Sequence, residues 1–140
     1  MRKKEYELNP TVNMAINLFN ALRYCGKMYV LLLIYDKAEE KYSEMLKLSK
    51  SFTELFLDEC FQRCLSISLN SLGEIAKETG NSKKAAEYYL EALEISKDSA
   101  QNANTIETRR DILFAYYRIA QTVNDISEAE SNCMKALEIA

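Results

Sequence analysis

An all-α fold made of repeated helix pairs is what this sequence predicts, and three observations predict it: a scarcity of turn residues, apolar residues at helical spacing, and a pattern that recurs along the chain. Only three glycines and one proline occur in 140 residues, too few for the hairpins of a β-rich fold of this length. Hydrophobic residues at 48% and charged residues at 28% fit neither a disordered nor a membrane-embedded chain. A single domain of this size removes roughly two-thirds of its unfolded surface from water, so a true core can form.

The recurrence is visible when Ala38 is set under Ala85 and Ala129, at offsets of 47 and 44 residues. The same two shifts align Leu22 with Leu69 and Leu113, Tyr29 with Ala76 and Ala120, and Tyr42 with Tyr89 and Cys133. They also align Met45 with Ala92 and Ala136, and Leu46 with Leu93 and Leu137. Gly26 falls over Gly73, whereas the third unit has Tyr117 there. One register therefore runs through both helices of three units, at about 10–50, 53–98 and 104–140, with no linker between them and a charged segment at 1–9.

The elements follow in order. Asn9 before Pro10 marks the start of a first helix over 10–34, with proline at its first turn. Asp36 with Glu39 reads as an acidic reciprocal cap opening a second helix, 36–50. A third helix over 53–79 carries an apolar face of Leu65, Leu69, Leu72, Ile75 and Ala76 and stops at Gly80, a residue suited to the left-handed cap. Asn81 or Ser82 caps the fourth, 82–98, whose inward face is Ala85, Tyr89, Ala92 and Leu93. After a polar loop from Asp98 to Asn104 come a fifth helix, 104–123, and a sixth, 126–139, the latter opened by Asp125 with Glu128. Small residues at Gly73, Ala76, Ala85 and Ala92 let the paired helices approach closely while Tyr89 fills the gap beside them.

The middle unit, with Leu72-Gly73, Ala76, Gly80-Asn81, Ala85, Tyr89 and Ala92-Leu93, resembles the tetratricopeptide repeat. The first unit keeps Gly26, Tyr29, Ala38 and Tyr42 of that pattern, and the third keeps Ala120, Ala129 and Ala136-Leu137. The resemblance covers about residues 10–140 and implies a right-handed α-α superhelix, a solenoid of three helix-turn-helix repeats. Two features depart from the family pattern. The spacing exceeds the family's commonest repeat length, and its tryptophan near the start of the first helix is replaced by Leu22, Leu69 and Leu113.

In tetratricopeptide proteins the first helix of each pair lines a concave groove that receives a partner peptide or helix. The resemblance therefore implies a protein-protein interaction scaffold. It also implies groove positions: Asn20, Arg23 and Lys27 in the first unit, Asn70, Glu74 and Lys77 in the second, and Asp111, Arg118 and Gln121 in the third. Arg23, Lys27, Lys77 and Arg118 would favour an acidic ligand. A chaperone-type carboxylate clamp is disfavoured, because Ser71, Asp111 and Ala115 stand where its later members belong. Alternatives are a peptide-sensing regulatory module and a self-associating fragment of a longer array. In the latter case a homodimer forms through the uncapped C-terminal repeat. Of the tyrosines, Tyr42, Tyr89 and Tyr116 read as packing residues, and Tyr88 and Tyr117 as contact residues.

Other classes find less support. The formal net charge of -3, with both signs mixed along the chain, gives no positive field for nucleic acid. No secretory signal is visible, and the apolar run from Met28 to Tyr35 is far shorter than the roughly 20 residues that span a bilayer. A cytoplasmic, non-membrane protein is expected. There is no histidine, no glycine-rich phosphate loop and no nucleophile motif, so neither an enzyme nor a cofactor is expected. Cys60 and Cys64 share a helix face but lack further metal ligands at matching spacing, so no metal is expected and all four cysteines read as reduced, buried thiols.

Overall fold

In the computed structural model residues 10–55, 59–102, 105–122 and 126–139 are described, and among them every regular element is a helix. There are six: α1 (Pro10–Leu31), α2 (Tyr35–Leu55), α3 (Glu59–Glu78), α4 (Ser82–Asn102), α5 (Ile106–Thr122) and α6 (Ile126–Ile139). Each packs chiefly on the helices before and after it in sequence. The charged segment 1–9, Asn9, Asp125, and the side chains of Glu128 and Ala129 lie outside the described residues.

The turn from α1 to α2 and the turn from α3 to α4 are built alike. Gly80, at φ 84°, donates its N–H to Lys77 O (3.1 Å), and Asn81 N–H reaches back to Ala76 O (2.7 Å). Leu33, at φ 59°, does the same with Val30 O (3.0 Å), and Ile34 N–H bonds Tyr29 O (2.8 Å). This is the left-handed helix stop that satisfies the last carbonyls. Glycine adopts it freely; Leu33 does so at a cost of about 1–2 kcal/mol. The stop shortens α1 to Leu31, where apolar spacing alone carries the helix to 34.

Helix starts differ more. Asn81 Oδ1 accepts from Lys84 N (3.1 Å) and is the cap of α4. Asp36 is not a cap, contrary to the sequence reading: α2 begins at Tyr35, so Asp36 and Glu39 are already helical, and Asp36 acts on the exposed first N–H groups only through the helix dipole. At α5 the sequence reading missed a reciprocal cap. Thr108 N donates to Thr105 Oγ1 (3.2 Å) while Thr105 N donates to Thr108 Oγ1 (2.9 Å).

Two helices run longer than their spacing suggests. α2 continues to Leu55, and within this last stretch the hydroxyls of Ser51 and Thr53 donate back to Lys47 O (3.0 Å) and Lys50 O (2.9 Å), which keeps these polar side chains satisfied inside a helix. Phe52 then stacks on Phe61 of α3 with ring centroids 5.3 Å apart, so α3 opens at Glu59 instead of 53. Ser99 donates to Gln62 Oε1 (3.1 Å), which ties the last turns of α4 to α3.

Two apolar clusters hold the stack. One joins Phe19 and Leu22 of α1, Ala38, Tyr42 and Met45 of α2, and Leu72 and Ile75 of α3. The other joins Ala76, Ala85, Tyr89 and Leu93 to Ile112, Ala115, Tyr116 and Ile119 of α5. Within the first two helix pairs a tyrosine ring occupies the space left by a glycine. A methyl group on Gly73 would lie 2.7 Å from Tyr89 Cδ1, and one on Gly26 2.8 Å from Tyr42 Cδ1. Both distances are below what carbon atoms tolerate, so glycine is required for the rings to seat. In the third pair the sizes are exchanged: Tyr117 and Cys133 stand where Gly73 and Tyr89 stand in the second.

The cysteines correct the sequence reading. All four are free thiols, but Cys25 and Cys133 are exposed and only Cys60 and Cys64 are partly buried. Cys25 lies on an exposed face of α1, and Cys133, where the second pair has the buried Tyr89, is exposed on α6. Cys64, hydrogen-bonded with the Cys60 thiol and partly buried, is held protonated well above the usual thiol range. Among the described residues no group of three or more Cys, Asp or Glu side chains converges as a metal site, and no helix is long and apolar enough to cross a membrane.

Candidate functional site

The repeat register explains why α1, α3 and α5 present one continuous row. Lys27, Glu74 and Arg118 are equivalent by the two offsets, as are Arg23, Asn70 and Phe114, and Asn20, Ile67 and Asp111. Positions three or four apart share a helix face, so stacking the three helices sets these columns side by side.

Two adjoining cavities follow the row. The larger, of about 470 Å³, is lined by Asn20, Arg23, Arg63, Asn70, Asp111, Phe114 and Arg118 over an apolar floor that includes Phe19 and Ile67. The second, of about 390 Å³, is lined by Arg23, Lys27, Tyr42, Asn70, Glu74 and Arg118, with Ile67 again beneath. Arg23, Asn70 and Arg118 stand on the wall between them. Seven of the nine residues singled out from sequence therefore come together. Lys77 and Gln121 do not line either cavity; they meet each other across α3 and α5, Lys77 Nζ donating to Gln121 Oε1 at 3.4 Å. Gln121 Nε2 in turn donates to the Tyr117 hydroxyl at 3.1 Å.

Charge in the larger cavity is unevenly neutralised. Arg63 Nε lies 3.5 Å from Asp111 Oδ2, and its Nη1 lies 3.7 Å from Glu107 Oε2. Arg63 thus consumes the carboxylate on that wall. No carboxylate among the described residues lies within ion-pair distance of Arg23 or Arg118. Arg118 instead stacks over Phe114, 5.9 Å from the ring centroid. Arg23 Nε and Asn70 Oδ1 are buried, and neither has a hydrogen-bond partner. An uncompensated buried polar atom costs about 1–3 kcal/mol, and the two residues that carry one each, Arg23 and Asn70, both line the two cavities.

Tyr42 and Tyr89 are core residues whose hydroxyls feel this row. Burial raises both; Glu74 adds to the rise, while Arg23 opposes it at Tyr42 and Arg118 at Tyr89. Tyr89 is pushed up to about 12. Tyr42 also lines a cavity, which its reading as a packing residue did not include. Tyr116 is buried as expected, Tyr117 is exposed, and Tyr88 is half-buried beneath Lys84, whose Nζ lies 5.8 Å from its ring.

Arg63 is the residue that sequence reasoning missed. Its column holds Ile16 and Glu107, so no repeated polar type announces it; its pairing with Asp111 is a contact between helices. In comparisons with family models and with curated proteins, none matches this chain.

Proposed function

We propose that this chain is a tetratricopeptide-like solenoid of three helix pairs that holds an extended, acidic segment of a partner protein along the row formed by α1, α3 and α5. Support for the architecture comes from helices that pack on their chain neighbours, from one turn built twice, and from two glycine-tyrosine seats at the repeat offset of 47.

The observation that carries the binding role is the unpartnered pair Arg23 Nε and Asn70 Oδ1. One is a donor and the other an acceptor, the two groups that a peptide unit satisfies together. Arg23 and Arg118, free of carboxylates, supply the preference for Asp or Glu side chains, and Phe114 and Ile67 offer apolar contact between them.

Binding of labelled acidic peptides, measured by fluorescence anisotropy beside Gln-substituted versions of the same peptides, tests this. The acidic forms should bind more tightly, and Lys27→Glu with Arg118→Glu should weaken them by about tenfold or more, as expected for charge-assisted bonds of about 1.5–3 kcal/mol. Equal binding of acidic and neutral peptides, or no change in the double variant, would exclude the row as the site.

A further inference from the structure

The outer face of α1, continued by the first residue of the turn after it, is an apolar seam at alternating spacings of four and three: Met14, Leu18, Ala21, Cys25, Met28 and then Leu32. It is uncovered, with Met14 71% and Leu32 59% exposed. The only charges of α1, Arg23 and Lys27, lie on the groove side. Such a seam is how a helix presents itself to another helix.

The molecule shows what covers this face, because it covers it twice itself. Shifted by 47, Cys25 and Met28 become Leu72 and Ile75 of α3, which are 3% and 2% exposed and sit in one cluster with Tyr42 of α2. Shifted again by 44 they become Tyr116 and Ile119 of α5, buried with Tyr89 and Leu93 of α4. In both cases the cover is the second helix of the preceding pair.

The complementary half of that contact is also left open, on α5 and α6. Leu137 is 69% exposed, whereas its equivalent Leu93 is 4% exposed. Cys133 and Tyr117 are exposed where Tyr89 and Gly73 are buried. Sizes match as well: the open end of α5 and α6 carries the bulky Tyr117 in place of glycine, and the seam on α1 carries the small Ala21 and Cys25.

We infer that the α1 seam of one copy docks on the α5 and α6 end of a second copy, repeating between molecules the contact that α3 and α5 make within one. The interface is head-to-tail, so a pair does not close on itself as a symmetric dimer does, and the pair as a whole still offers one free head and one free tail. This inference rests on the internal equivalences and not on the groove, which lies on another side of α1.

A head-to-tail interface has a signature that symmetric pairing lacks. In sedimentation equilibrium the unaltered chain should show a mass that rises with concentration beyond twice 16.1 kDa. Met28→Lys and Leu137→Lys, both at exposed positions, should each stay at the single-chain mass. Mixed in equal amounts they should form a two-chain species and nothing larger, because one intact tail meets one intact head. A short bismaleimide should link Cys25 of one copy to Cys133 of another, as read by peptide mapping. A strict monomer across the concentration series, self-association of either variant at the unaltered level, failure of the mixture to pair, or links confined to Cys25-Cys25 or Cys133-Cys133 would each overturn the inference.

Discussion

The second and third helix pairs share a register but are closed in different ways. Between α3 and α4 the Tyr89 ring fills the space of the missing Gly73 side chain, and both residues are buried. Between α5 and α6 the equivalent Tyr117 and Cys133 are exposed, and α5 is instead anchored backward, through Ile112, Ala115, Tyr116 and Ile119, onto α4. A repeat thus conserves two kinds of contact that need not survive together: the joint within a pair and the joint between pairs. In the last pair the glycine-tyrosine seat is gone, and α6 packs instead through Ala136 and Ile139 on the cluster that holds α5 to α4.

The widest test of that contrast is truncation of the tyrosine ring found at the joint of each pair, Tyr89 in the second and Tyr117 in the third. Tyr89→Ala should destabilise by about 3–5 kcal/mol in urea unfolding, as for a buried aromatic, whereas Tyr117→Ala should stay within about 0.5 kcal/mol. Similar losses at both positions would break the distinction. Next in size is Gly73→Ala, with Gly26→Ala beside it. The new methyl group collides with a buried ring that has little room to move, so each should cost about 1–3 kcal/mol despite alanine's better helix propensity.

Alkaline unfolding sharpens the same comparison. Tyr89 has its folded value pushed up to about 12 from 10, so above pH 10 the unfolded chain releases a proton that the folded chain keeps. Its contribution to stability is fully present below pH 10 and is lost as pH rises toward 12, at no more than about 1.4 kcal/mol per pH unit. Tyr89→Phe should flatten this part of the melting-temperature profile. The smallest effect belongs to the two matched turns. Leu33→Gly should stabilise by about 1 kcal/mol, because the left-handed position is already occupied, and Gly80→Ala should destabilise by a similar amount.

Much of the helical order was legible because each signal was local. Gly80 stops α3, Asn81 caps α4, and Gly73, Ala76, Ala85 and Ala92 mark a close helix approach before any coordinates are seen. What escaped was set by contacts distant in sequence or by poor local signals. Leucine is a bad left-handed residue, so Leu33 could not announce the turn that Gly80 announces. Threonine at both ends of the α5 cap lacks the usual Glu or Gln partner. Cysteine is ordinarily a core residue, and whether a helix face is packed against a neighbour, as it is not at Cys25 and Cys133 among the described residues, is not written in its local sequence. At the candidate groove, the resemblance to tetratricopeptide repeats brought out Arg23, Lys27, Asn70 and Arg118, but the pairing of Arg63 and the unpartnered atoms of Arg23 and Asn70 exist only once three helices are stacked.

The Arg23 Nε–H group tests the central claim most directly, because its proton is observable by NMR in the free chain and in the presence of an acidic peptide. The Arg23 Nε resonance and the Asn70 side-chain amide should shift together and saturably on titration, with Arg118 following and the α2 and α4 surfaces unmoved. An Arg23 resonance that stays in place while the peptide binds elsewhere would contradict it.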